Sequence, residues 1–181
     1  MKRDVVVAES LSMFENKVNP FDIFELEPSY ELNLQELDKR YFALQEQVHP
    51  DKLAKTDSFT KLQAQLLSGA FNEAYEILKH PLHRAKAYLE VLGVDLPDQE
   101  TFNASDDLLM DIMALQEKLK TLEAPKDIRD FETEITLKFK EALSNLFEKK
   151  DVKFWIQAIY YWKILTLVFE RLKALSTFHC V

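Results

Sequence analysis

One cysteine, two glycines and six prolines among 181 residues deny this chain the parts that several fold classes require. Cys180 has no partner in the chain, which excludes an intramolecular disulfide and a cysteine-based metal cluster and fits a reducing compartment. With so little glycine there is no phosphate-cradling loop and little provision for tight β-turns, so a mostly helical protein is expected. Positive charge is also in deficit. The chain carries 23 basic against 31 acidic residues, a net charge of −8, and a general nucleic-acid binder needs the opposite balance to displace counterions from phosphates. The deficit is even: 15 acids and 11 bases up to Val94, 16 and 12 after it. At the start, Met1-Lys2-Arg3 is followed by Asp4, and only Val5 to Ala8 precede Glu9, too short for a signal-peptide core and too acidic for a transit peptide. A soluble protein with no membrane partner is expected.

What the chain has is periodic apolar residues, 47% of the total. Leu34, Leu37, Tyr41, Leu44 and Val48 recur at steps of three and four, as do Phe59, Leu62, Leu66, Ala70, Ala74 and Ile77, and each set lays a stripe along a helix. Between them lies Gln47-Val48-His49-Pro50-Asp51-Lys52-Leu53. Pro50 has no amide hydrogen and drives His49 out of helical dihedrals, so the first helix stops and the chain turns back. The product is an antiparallel helical hairpin with a stiff polar tip. His49 and Asp51 alone do not make an acid–base enzyme, since no nucleophile, oxyanion site or metal accompanies them. His80, His83 and His179 lie in no ligand spacing and read as ordinary histidines, so no metal and no cofactor is expected.

His49-Pro50-Asp51 at the tip of such a hairpin resembles the signature of the J-domain co-chaperones. Tyr41-Phe42-Ala43-Leu44 before it, and Asn72-Glu73-Ala74-Tyr75-Glu76-Ile77-Leu78 with Pro81 and Arg84 after it, match the family's flanking pattern. The resemblance narrows to the HscB (Hsc20) type through Leu78 to Ala85 and the junction Gly93-Val94-Asp95-Leu96. It implies an all-α, L-shaped protein with a J domain first and a three-helix bundle last.

The rest of the chain fits that plan. Residues 1–18 show no sustained period and read as an extension. Asn19-Pro20 opens a short helix with Phe21, Phe24 and Leu26 as core contacts, and Pro28 is expected to end it. The J domain with its following helix is assigned to 19–94 and the bundle to 95–181, across the turn-rich run from Asp95 to Thr101. Ser105 caps the first bundle helix, Pro125 starts the second with Ile128, Phe131, Ile135, Phe139, Ala142, Leu143 and Leu146 on one side, and Asp151 opens the third. Lys153, Gln157, Lys163 and Thr166 interrupt the apolar run from Val152 to Phe169, which therefore reads as a core helix and not a membrane span. Its aromatic residues are too many for one stripe, so part of them should stay exposed.

By resemblance, the protein binds a heat-shock ATPase of the DnaK or HscA type and raises its hydrolysis rate without doing chemistry itself. His49, Pro50 and Asp51 would trigger the partner, and Lys39, Arg40 and Lys52, with Lys55, would attract it, opposed by Glu46. The client implied is the iron–sulfur scaffold IscU, gripped by Leu109, Met110, Met113 and Glu117. Leu108, Ile112, Leu115 and Leu119 can form the buried stripe of that helix, leaving the grip free. Ala114 and Thr121 stand where the family pattern has acids, which leaves Asp111 and Glu117 to supply negative charge. A different client, or general carriage of unfolded proteins, is the alternative. The lack of an N-terminal CxxC pair favours a bacterial cytoplasm over a mitochondrial matrix.

Overall fold

A computed structural model describes residues 19–49, 57–96 and 104–177, apart from the side chains of Phe59 and Thr177. The expectations placed on residues 1–18, on Pro50, Asp51, Lys52 and Lys55, on 97–101, and on His179 and Cys180 lie outside the described residues. Every regular element described is a helix: α1 Pro20–Ile23, α2 Leu34–Gln47, α3 Ser58–Lys79, α4 Pro81–Val91, α5 Asp106–Thr121, α6 Pro125–Lys149 and α7 Val152–Thr177. None of them is long and apolar enough to cross a membrane. The chain divides into two compact units, Met1–Gly93 and Val94–Val181.

Helix starts follow from side chains that accept the orphan amides of a first turn. Asn19 Oδ1 accepts from Phe21 N at 3.1 Å, Asn33 Oδ1 from Gln35 N at 3.0 Å, Asp57 from Thr60 N at 2.9 Å and Ser105 Oγ from Leu108 N at 3.3 Å. Helix ends differ from expectation in one place. α1 stops because Glu25 takes a left-handed φ of 50°, three residues before Pro28. Gly93, at φ 75°, lies in the region that favours glycine just beyond α4.

In the first unit Phe21, Phe24, Leu37, Ala74, Leu78 and Ala87 form the core, with Leu26, Tyr41, Leu44, Tyr75 and Ile77 packed against it. The expected stripe on α3 holds at its C-terminal end, where Ala74 is buried and Ile77 packs against the core, and is displaced in its N-terminal half by about one residue's rotation, roughly 100°. Leu62 and Leu66 are exposed, at 55% and 48%, while Ala64, Ala74 and Leu78 are buried. Two overlapping apolar series run along this helix, and packing against α1, α2 and α4 selects the one through Ala64, Leu67, Phe71, Ala74 and Leu78. Leu34, placed on the α2 stripe, is likewise exposed.

In the second unit α6 and α7 double back across Lys150 and Asp151 and share the most extensive helix–helix contact among the described residues. α6 buries Ile128, Phe131, Ile135, Phe139, Ala142, Leu143 and Leu146, the residues its period predicts. α7 meets them with Trp155, Ala158, Ile159, Tyr161, Ile164, Leu165 and Val168. Phe169 remains 45% exposed, part of the aromatic excess.

Candidate functional site

Two surfaces carry the residues singled out by sequence, one in each unit. The first is the far end of the α2–α3 hairpin. A ladder of polar contacts zips these helices together along one edge. Asp38 accepts from Lys79 Nζ at 2.6 Å and from Tyr75 Oη at 2.8 Å. Tyr41 Oη and Gln45 Nε2 both donate to Asn72 Oδ1, at 2.9 and 2.6 Å, and Ser68 Oγ donates to Gln45 Oε1 at 2.9 Å. Tyr41 also stacks on Tyr75, ring centroids 4.1 Å apart. The contacts advance along α2 as they retreat along α3, which fixes the antiparallel register from Asp38–Lys79 to Gln45–Ser68. Hydrogen bonds from Lys79 and then Tyr75 hold the Asp38 carboxyl below its ordinary range, and Asp38 in turn raises Lys79. Of these residues the sequence places Tyr41 on the apolar stripe of α2, and Tyr41, Asn72 and Tyr75 stand in the flanking runs that carry the resemblance; the polar contacts among them are not anticipated by it.

His49 follows Val48, the residue that closes α2, and is exposed. Lys39 and Glu46 are exposed as well. Arg40 is differently placed. Its Nε donates to Glu36 Oε1 at 2.7 Å, and Nη1 donates to the carbonyls of Phe24 and Glu25 at 2.8 and 2.5 Å. The guanidinium thus satisfies the carbonyls released where α1 ends at the left-handed Glu25, and its hydrogen bond lowers the Glu36 carboxyl. Pro50, Asp51 and Lys52 are outside the described residues, so the tip is seen from its α2 side.

The second surface is the outer side of α5. Leu108, Ile112, Leu115 and Leu119 are buried, and Ser105, Asp106 and Asp107 complement the helix start. Rotated away from that stripe stand Leu109, Met110 and Met113, at 38%, 69% and 65% exposure, with Glu117 one turn beyond Met113. Three large apolar side chains on one exposed helix face are a surface a folded domain does not need for its own core. Glu117 accepts from Lys120 Nζ at 2.6 Å across the exposed surface, an ion pair of little strength in water. Asp111, one of the two acids left to serve this face, points elsewhere. It accepts from Tyr161 Oη at 3.2 Å and lies 3.7 Å from Lys138 Nζ, joining α5 to α7 and α6. Burial, and then the Asp111 charge, push the Tyr161 hydroxyl up to about 12. Ala114 and Thr121 are exposed and carry no charge. The face is therefore largely apolar, with exposed Asp106 in the first turn at one end and Glu117 at the other.

Among the described residues no group of three or more His, Cys, Asp or Glu could hold a metal ion. His80 and His83 stack on one another, centroids 4.2 Å apart, and His80 Nδ1 accepts from His83 N at 3.4 Å as the cap of α4.

No protein-family model matches the chain. A co-chaperone protein HscB homolog of Neisseria meningitidis is 34% identical over 108 residues, covering 60% of this chain and 65% of that protein, just short of two thirds of the relative's length. The crystal structure of human co-chaperone protein HscB superposes with a TM-score of 0.70 at 25% identity, covering 88% of this chain and 82% of that one. Chaperone HscB from Vibrio cholerae gives 0.65 at 25% identity, covering 90% and 98%. Sequence and fold point the same way: this chain is similar to HscB co-chaperones, in sequence over somewhat less than two thirds of the length of the curated relatives it matches and in its all-helical fold.

Proposed function

We propose that the chain is a J-domain co-chaperone of iron–sulfur cluster assembly, which stimulates ATP hydrolysis by a DnaK- or HscA-type chaperone and delivers an IscU-type scaffold protein to it. His49, Pro50 and Asp51 act on the chaperone. Pro50 limits the entropy lost when the tip docks, Asp51 offers a carboxylate to a partner cation, and His49 adds a directional hydrogen bond. Lys39 and Lys52 attract the partner, while Arg40 supports the surface by holding the end of α1 in place. The protein activates its partner and performs no reaction of its own, in a bacterial cytoplasm.

The observation that carries the reading is the division of α5 into two apolar stripes, one buried and one exposed. A bundle needs the first for its stability; the second serves a client. Leu109, Met110 and Met113 provide the contact area, with methionines able to adapt to the partner's shape. Glu117 supplies a carboxylate one turn beyond Met113.

The test is a titration of purified IscU-type scaffold against wild type and Leu109→Ala/Met113→Ala. Truncating two exposed anchors is expected to weaken binding by roughly one to two orders of magnitude, since each buries on the order of 1 kcal/mol or more of apolar surface on docking. Thermal stability should stay near that of wild type. Equal binding by the double variant would move the client site off α5. No binding by wild type would remove the scaffold as client and leave the chaperone half of the proposal standing.

A further inference from the structure

The described residues contain two methionines, and both lie on the exposed face of α5. Met110 and Met113 are one helical turn apart and are 69% and 65% exposed, so both side chains are within reach of solvent. The remaining two methionines of the chain, Met1 and Met13, lie outside the described residues.

We propose that Met110 and Met113 are a reversible oxidation site that turns client binding off under peroxide. The proposal rests on the client surface put forward above and adds its regulation. In the forward step a thioether sulfur lone pair attacks one oxygen of hydrogen peroxide. The O–O bond breaks, an S–O bond forms, and the second oxygen leaves as water once protons have been transferred. Sulfur loses two electrons and peroxide gains them. In the reverse step two thiols of a methionine sulfoxide reductase supply two electrons and two protons, the sulfoxide oxygen leaves as water, and the thiols become a disulfide.

Position decides what this reaction does. Sulfoxidation of a buried methionine disrupts a core, but here Leu108, Ile112, Leu115 and Leu119 hold the helix down and neither sulfur takes part. The fold should therefore survive oxidation. The exposed face should not survive as a binding surface, because two of its three large apolar side chains acquire a polar S–O group that docking would have to desolvate. Asp111 is engaged by Tyr161 and Lys138, and the exposed carboxylates at the two ends of the face, Asp106 and Glu117, accept hydrogen bonds but cannot donate one to a sulfoxide oxygen.

The experiment uses the full chain, hydrogen peroxide and purified IscU-type scaffold. Partially oxidised wild type is passed over immobilised scaffold, and sulfoxide at each methionine is read by peptide mass spectrometry in the bound and unbound fractions. The bound fraction should be depleted of sulfoxide at Met110 and Met113 and not at Met1 or Met13. Fully oxidised wild type should bind weaker than its own untreated sample by roughly tenfold for each sulfoxide, and reductase treatment should restore it. Met110→Leu/Met113→Leu, compared with its own untreated sample, should show no peroxide-dependent loss, and the helical content and melting temperature of wild type should be unchanged by oxidation. Equal sulfoxide in both fractions overturns the proposal while leaving the client surface in place, as does equal peroxide sensitivity of the leucine variant. Failure of untreated wild type to bind overturns the client reading and the switch together.

Discussion

Arg84 donates from Nη1 to the carbonyl of Leu78 at 2.6 Å, closing the end of α3 from a position inside α4. The same guanidinium donates from Nε to the carbonyl of Tyr30 at 3.0 Å and lies 5.0 Å from the centre of the Tyr30 ring. It is the one charged side chain among the buried residues described. One cation therefore satisfies carbonyls from two segments that meet only in the folded chain, and its charge is met by carbonyl dipoles and a π face.

Replacing Arg84 by Ala should destabilise the protein by about 2–4 kcal/mol, because the cavity leaves buried carbonyls without donors. Arg84→Lys should recover only part of this, since an ammonium cannot reproduce the planar fork. Urea denaturation followed by circular dichroism checks both.

Lys39 and Arg40 are neighbours in sequence with different tasks. Lys39→Ala should leave stability unchanged and weaken chaperone affinity several-fold at low salt, with the difference shrinking as salt rises. Arg40→Ala should cost about 1 kcal/mol of stability through the lost hydrogen bonds to Phe24 and Glu25. Paired denaturation and binding measurements separate the two. If Lys39→Ala has no effect on affinity at any salt concentration, this side of α2 does not face the chaperone.

His80 introduces a pH dependence. Burial, followed by the charges of His83 and Arg84, pulls its imidazole down to about 4 from an ordinary 6.5. The unfolded chain therefore takes up a proton at higher pH than the folded chain. The stability tied to neutral His80 is full above pH 6.5 and declines as pH falls from there toward 4. NMR titration of the imidazole should give a midpoint near 4, and His80→Asn, which keeps a capping acceptor for α4, should remove this part of the acid sensitivity. A midpoint near 6.5 would contradict the burial argument.

The parts legible in sequence were those with long, unambiguous periods. α6 has seven apolar residues on one face and, apart from Leu137 and Phe147, mostly polar residues along the rest of its length, so its core could be read without a partner. α5 was nearly as clear, because Leu108, Ile112, Leu115 and Leu119 form one complete stripe and leave Leu109, Met110 and Met113 outside it. α3 was not, since it carries two stripes and only its neighbours choose between them. Arg40, Asp38 and Arg84 were illegible for another reason. Their partners stand 16, 41 and 54 residues away, and a hydrogen bond across that distance leaves no periodic trace. The end of α1 at Glu25 was hidden because a left-handed glutamate is a consequence of the contacts around it, among them the Arg40 clasp.

The central claim is that this chain activates a heat-shock ATPase through the tip at His49, and single-turnover ATP hydrolysis by a purified DnaK- or HscA-type chaperone tests it most directly. Wild type should raise the hydrolysis rate, Leu109→Ala/Met113→Ala should raise it equally in the absence of scaffold, and His49→Gln should fail to raise it while keeping the wild-type circular dichroism spectrum and melting temperature. Stimulation by His49→Gln at the wild-type level would contradict the account.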